Sequence, residues 1–197
     1  MRTGERAGSW RRRVKPCGRV AENSYHFVSH WRVRGTCEQV ADLLERVGDW
    51  PRWWPAVYLS VEILKPGGAH GIGEEVALFT KGWLPYTLRW RFTVVQARYP
   101  HGFTIEARGD FVGRGEWILE KDGEFVNVTY DWRIDVEKPL LRTLTPLLRP
   151  VFSANHDWAM RTGERSLKLE LARLAARSES ERKAIPAPPG PTFYRRA

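Results

Sequence analysis

Two cysteines in 197 residues leave little room for cysteine chemistry. Cys17 and Cys37 share no metal-ligand spacing and form no disulfide framework, so a reducing, cytoplasmic setting is the default expectation. Long apolar runs are missing as well. No stretch reaches 18 consecutive apolar residues, so no helix is expected to span a membrane. The opening "MRTGERAGSWRRRVKPCGRV" has no apolar segment of the roughly 7–15 residues that a secretory signal requires. Its Arg triplet also lacks the apolar stretch that follows a twin-arginine motif.

Motifs that carry chemistry are scarce too. His26 and His30 would share a helical face, but on a strand they stand about 13 Å apart, too far to hold one metal. The glycines of "GGAHGIGEE" lack the strand-to-helix setting of a phosphate loop and read as a hairpin turn. Asp110 and Glu116 alternate with outward residues, which argues against a glycosidase-like carboxylate pair. No metal and no cofactor is expected.

What the chain does have is positive charge and tryptophan. The formal net charge is +9, with 32 Lys and Arg against 23 Asp and Glu. Residues 1–24 hold seven of the bases and two of the acids, and residues 177–197 hold five and two. The segment between keeps twenty bases and nineteen acids and is nearly neutral. Basicity therefore lies at the ends, where residues 1–23 and the Pro-rich 177–197 read as disordered tails. Non-specific nucleic-acid or anionic-membrane binding through these tails is one alternative function, and specific nucleic-acid recognition is not expected. "MRTGER" occurs at 1–6 and again at 160–165 without a tandem array around it.

Between the tails the periodicity is clear. "SYHFVSHWRVRG" (24–35) reads as a strand, and "TCEQVADLLERVGDW" as a helix with a Thr36/Gln39 capping box, a stripe of Val40, Leu43, Leu44 and Val47, and a stop at Gly48. "DWPRWWPAV" follows, a rigid turn between Pro51 and Pro55 that carries Trp50, Trp53 and Trp54. From there to residue 137 the period is two. In "FVNVTYDWRIDVE", Val126, Val128, Tyr130, Trp132, Ile134 and Val136 share one face while charges take the other, the mark of an antiparallel sheet covered on one side. The last part is helical. Prolines 139, 146 and 150 are expected to break its start into short turns, and from Val151 to about Ala176 one face carries Phe152, His156, Ala159, Gly163, Leu167 and Leu174.

The order is strand, two short helices, six strands, long C-terminal helix: an α+β, helix-grip plan with a curved antiparallel sheet of about seven strands around that helix. This order, the "DWPRWWPAV" turn and the terminal helix resemble the START-like, or SRPBCC, superfamily over residues 24–176, in particular its polyketide cyclase/dehydrase and lipid-transport branch. The resemblance implies an apolar cavity between sheet and helix for a lipid, polyketide, sterol or isoprenoid quinone. Some members are cyclases or dehydratases, and many only bind and carry.

The residues point the same way. Small Ala159 and Gly163 lie opposite strand tryptophans and either admit those rings or leave space for a ligand. Trp54, Trp90, Phe92, Trp117, Tyr130, Trp132, Phe152, His156, Ala159 and Gly163 are the candidate ligand-binding residues. Trp50, Trp53 and Trp54 are expected together at the cavity mouth. His156 and Tyr130, polar groups on apolar faces, are the candidates for an acid/base pair, against the plainer alternative that His156 is a core histidine bonded to a carbonyl or to Asn155. Binding of a small hydrophobic molecule is the leading expectation and turnover of such a ligand the alternative. Transient membrane-surface contact is compatible with both, and the oligomeric state is left open.

Overall fold

The two-residue period of the middle segments becomes a single sheet. A computed structural model describes residues 24–137 and 139–193, with the backbone alone for 139–148. Its strands are β1 (Ser24–Arg34), β2 (Tyr58–Lys65), β3 (Glu75–Lys81), β4 (Thr87–Ala97), β5 (Gly102–Gly109), β6 (Phe111–Asp122) and β7 (Phe125–Val136). They lie in the order β1-β7-β6-β5-β4-β3-β2, antiparallel throughout. Strands β2 to β7 form a meander. β1 closes its far edge, with Ser24 opposite Asp135 and Arg34 opposite Phe125. The alternation of β7 is realised in burial: Val126, Val128, Tyr130 and Trp132 are buried, and the residues between them are not.

Helix α1 (Cys37–Glu45) starts on the expected capping box. The Gln39 N–H donates to Thr36 Oγ1 at 3.3 Å, and the Thr36 N–H donates to Gln39 Oε1 at 3.0 Å. It ends at Glu45, ahead of the Gly48 stop, because Arg46 leaves the helical conformation. Pro51 opens the single turn of α2 (Trp50–Trp53), where a missing N–H costs nothing. Trp50 and Trp53 are almost wholly buried, and Trp50 Nε1 donates to the Leu44 carbonyl at 3.1 Å. These two rings belong to the core between α1 and the sheet, rather than to a cavity mouth.

Helix α3 (Pro139–Ala175) runs unbroken for 37 residues, so prolines 146 and 150 do not divide it into turns. A proline removes one i→i−4 bond, and the turns on either side can still continue the helix. Leu174 is half exposed and leaves the buried face, which comprises Asn155, Met160, Gly163, Ser166, Leu167, Glu170 and Leu171. Glu170 is buried because it is paired: Arg52 of α2 lies 2.8 Å from it and Arg173 3.3 Å. That cluster fastens the tryptophan turn to α3.

Residues 177–193, expected from composition to belong to a disordered tail, include one regular element. Ser178 caps a further short helix, α4 (Glu179–Ala184), by accepting from the Glu181 N–H at 3.1 Å. Beyond it the chain returns to the domain. Arg173 donates to the Pro186 carbonyl, and Thr192 Oγ1 donates to the Trp83 carbonyl at 3.1 Å. The Pro-rich segment is thus tied to α3 at Pro186 and to the β3–β4 loop at Thr192. The basic segment 1–23, with the first "MRTGER", lies outside the described residues, as do residues 194–197. The second "MRTGER" is an uninterrupted part of α3. Among the described residues no helix is long and apolar enough to cross a membrane.

Candidate ligand-binding cavity

A helix laid over a curved sheet cannot touch it equally along its whole length. At Gly163 the helix meets the tryptophan turn instead: a Cβ built there would overlap the Trp54 indole, with Cε2 only 2.5 Å away. Between Phe152 and Met160 a cavity of about 150 Å³ opens between α3 and the sheet. Its helix side is Phe152, Asn155, His156, Ala159 and Met160. Its sheet side is aromatic: Tyr25 and Phe27 from β1, Trp90 from β4, Phe111 from β6, and Tyr130 and Trp132 from β7. Trp54 and Tyr58 close one end.

The rings form a connected wall. Tyr130 stacks between Trp117 (4.1 Å between centroids) and Trp132 (5.5 Å). Trp132 meets Trp90 at 5.8 Å and Phe111 edge-on at 5.6 Å. Such offset and edge-to-face contacts hold the rings in place through their quadrupoles. The Trp90 indole is further fixed by donating to Thr80 Oγ1 at 3.0 Å. Across the cavity His156 lies parallel to Phe27, with centroids 4.1 Å apart.

Of the ten residues expected to contact a ligand, Trp54, Trp90, Tyr130, Trp132, Phe152, His156 and Ala159 line this cavity. Phe92, Trp117 and Gly163 do not. Phe92 is packed against Trp50, Trp117 lies behind Tyr130, and Gly163 is covered by Trp54. Gly163 therefore accommodates an indole and leaves no vacancy. Sequence reasoning missed Tyr25 and Phe27. Their alternation with His26 and Val28 was visible, but which end of β1 the cavity occupies was not. Asp110 was also misplaced: it sits in the bend between β5 and β6 at the cavity edge, where its Oδ2 accepts from the Arg89 N–H at 2.9 Å. Glu116 pairs with Arg98 at 2.6 Å, so the two carboxylates do not act together.

Burial holds the imidazole and two of the phenols of the cavity neutral. Burial lowers the His156 pKa to about 4, offset only in part by neighbouring Asp157. Its Nε2 is buried and has no hydrogen-bond partner among the described residues, so the carbonyl or Asn155 contact considered from sequence is not made through that atom. Asn155 instead accepts from the Leu84 N–H at 3.1 Å and reaches Tyr86 Oη at 3.5 Å. Burial pushes the Tyr86 phenol up to about 12, with Tyr25 adding to the shift. Tyr130 is raised well above the usual tyrosine range, by burial first and Tyr58 second. At neutral pH Tyr86 and Tyr130 are therefore phenols and His156 is a neutral imidazole. Among the described residues no cluster of His, Cys, Asp or Glu is arranged to hold a metal.

The fold has close counterparts in solved structures, each at low sequence identity. The aromatase/cyclase ZhuI from Streptomyces sp. R1128 is 16% identical, with a TM-score of 0.61 over 79% of this chain and 98% of that one. TTHA0849 from Thermus thermophilus is 17% identical, with a TM-score of 0.58 over 78% and 100%. A START superfamily protein from Mycobacterium smegmatis is 13% identical, with a TM-score of 0.56 over 72% and 98%. These likenesses establish a START-like helix-grip fold. A comparison with curated proteins finds no match. The family described as polyketide cyclase/dehydrase and lipid transport matches residues 24–179, all seven strands and the long helix included, and the chain belongs to that family.

Proposed function

We propose that the protein binds one small, largely apolar molecule in the cavity between α3 and the sheet, and that binding rather than turnover is its activity. The observation that carries this reading is the space itself. Where α3 passes Trp90, Tyr130 and Trp132, it presents Ala159 instead of a side chain large enough to fill the gap. A dry cavity of about 150 Å³ is known to take a single benzene-sized ring, so the expected occupant is an aromatic ring, or one ring or chain segment of a larger lipid, isoprenoid or polyketide. The buried, unpartnered His156 Nε2 in the wall offers a hydrogen-bonding position for one polar group.

The state of the candidate acid/base pair supports binding over cyclisation or dehydration. A histidine with a pKa near 4 is a weak base, and a tyrosine raised far above neutrality stays a phenol. Both orient a ligand more readily than they move its protons. The test is calorimetric titration of the purified protein with p-cresol, together with native mass spectrometry for a co-purified ligand. Micromolar to millimolar saturable binding is expected, abolished in Ala159→Phe with the fold retained by circular dichroism. If wild type and variant both fail to bind, the cavity is not a binding site.

A further inference from the structure

Tyr25 stands one position before the exposed His26 on β1, so it shares the inward face with Phe27, against which its ring stacks at 5.3 Å. It is 5% exposed and lines the cavity, yet its Oη is buried without a hydrogen-bond partner among the described residues. Leaving a buried hydroxyl unpaired is destabilising, so such a group in a cavity wall asks for a partner. Arg149 does not supply it. Its guanidinium lies over the Tyr25 ring, 4.9 Å from the centroid, and donates to the Ser24 carbonyl.

A second phenol stands in the same corner. Tyr86, from the loop before β4, lines the cavity and meets Phe152 edge-on at 6.3 Å. Tyr25 and Tyr86 pack in one cluster with Phe27, Val136 and Phe152. Tyr25 also adds to the rise of the Tyr86 pKa, which puts the two hydroxyls within electrostatic reach of each other. Tyr86 Oη accepts from Asn155 Nδ2 at 3.5 Å, and its own O–H has no acceptor among the described residues. Asn155 is oriented by taking the Leu84 N–H on its Oδ1, which leaves its amide nitrogen to face Tyr86. This corner of the cavity therefore holds two phenol O–H groups and no acceptor bonded to either.

Two free donors call for an oxygen with two lone pairs, and a carbonyl group is their complement. We propose that Tyr25 and Tyr86 determine specificity for a ligand that carries a carbonyl oxygen on an apolar body, their O–H groups donating to that oxygen beside Asn155. The inference rests on the cavity reading above and adds the chemical class of the ligand. The apolar body lies against Trp90, Tyr130 and Trp132, and the oxygen points to the Tyr25–Tyr86 corner. An apolar molecule of the same shape leaves both hydroxyls unpaired, and the site discriminates against it for that reason.

The test compares acetophenone with α-methylstyrene, its isostere with C=CH2 in place of C=O, by calorimetry on the full chain at pH 7, with p-cresol as the cavity control. The alkene leaves water more readily than the ketone, so the readout is the ketone-to-alkene affinity ratio of each variant relative to wild type. That ratio is expected to fall at least fivefold in Tyr25→Phe and in Tyr86→Phe, each of which keeps its ring and loses only the hydroxyl. The melting temperature of Tyr25→Phe should not drop, because the hydroxyl removed makes no bond in the free protein. A ratio unchanged in both variants overturns the proposal, and p-cresol binding by wild type leaves the cavity reading standing. If wild type binds none of the three probes, both readings fall. Should Tyr25→Phe fail to fold, Tyr86→Phe decides, and an unchanged ratio there overturns the carbonyl subsite.

Discussion

Trp54 lies across Gly163 so closely that a single added carbon on the helix would overlap its indole at both Cζ2 and Cε2. This contact fixes how closely α3 approaches the tryptophan turn at the end of α2, because only a residue without a Cβ lets the two surfaces meet there. Gly163→Ala gains about 1 kcal/mol in helix propensity, yet overpacking typically costs about 1–3 kcal/mol. The net effect is expected to be destabilising, and Gly163→Leu more strongly so. Thermal melts should show a fall of several degrees for both.

His156 makes stability depend on acid. Its folded pKa is about 4 against an ordinary 6.5, so between those values the unfolded chain binds the extra proton. Stability therefore falls as pH drops from 6.5 towards 4, by an amount on the order of 3 kcal/mol. His156→Phe keeps the stacking on Phe27 and removes the titration. Denaturant midpoints at pH 4.5 and 7 should differ less in the variant than in wild type.

Gly115 lies beneath the cavity wall. A Cβ there would meet Tyr130 Oη and Trp132 Cε3, each at 2.7 Å. Both rings must then move, and they have the cavity to move into. Gly115→Ala is expected to cost about 1–3 kcal/mol of stability and to weaken p-cresol binding at least tenfold. Unchanged affinity would show that these rings do not shape the site.

Glu170 is 4% exposed and joins Arg52 to Arg173. Arg52 is about half exposed, so solvent screens its share. Glu170→Ala leaves the more buried Arg173 without this partner, and a loss of about 1–3 kcal/mol is expected by chemical denaturation. Glu170→Gln should recover part of it.

The sheet was legible because alternation is a local property. Val126 to Trp132 announce their covered face residue by residue, and Thr36 with Gln39 announces a helix start within four positions. The cavity was legible only as a face. Periodicity says that Trp90 and Phe92 point the same way but not which of them lies under a helix that stands off and which under a packed core. That depends on how α3 is seated, and its approach to the tryptophan turn is set by Gly163 and Trp54 from distant parts of the sequence. Composition reads "PAPPGPT" as solvated, and nothing local to Thr192 reports its contacts with Lys81 and the Trp83 carbonyl.

The placement of β1 beside β7 has a consequence for how the molecule is made. Tyr25 and Phe27 are among the first described residues, and their facing partners Ile134 and Trp132 arrive more than a hundred positions later. Closing that loop is entropically late and slow compared with the β2–β7 hairpins, each of which needs only its neighbour. During synthesis the meander can therefore assemble with its aromatic face uncovered, holding a row of indole and phenol rings towards the solvent. α3, which follows β7 in the chain, supplies the cover for that face, and β1 completes the wall with Tyr25 and Phe27.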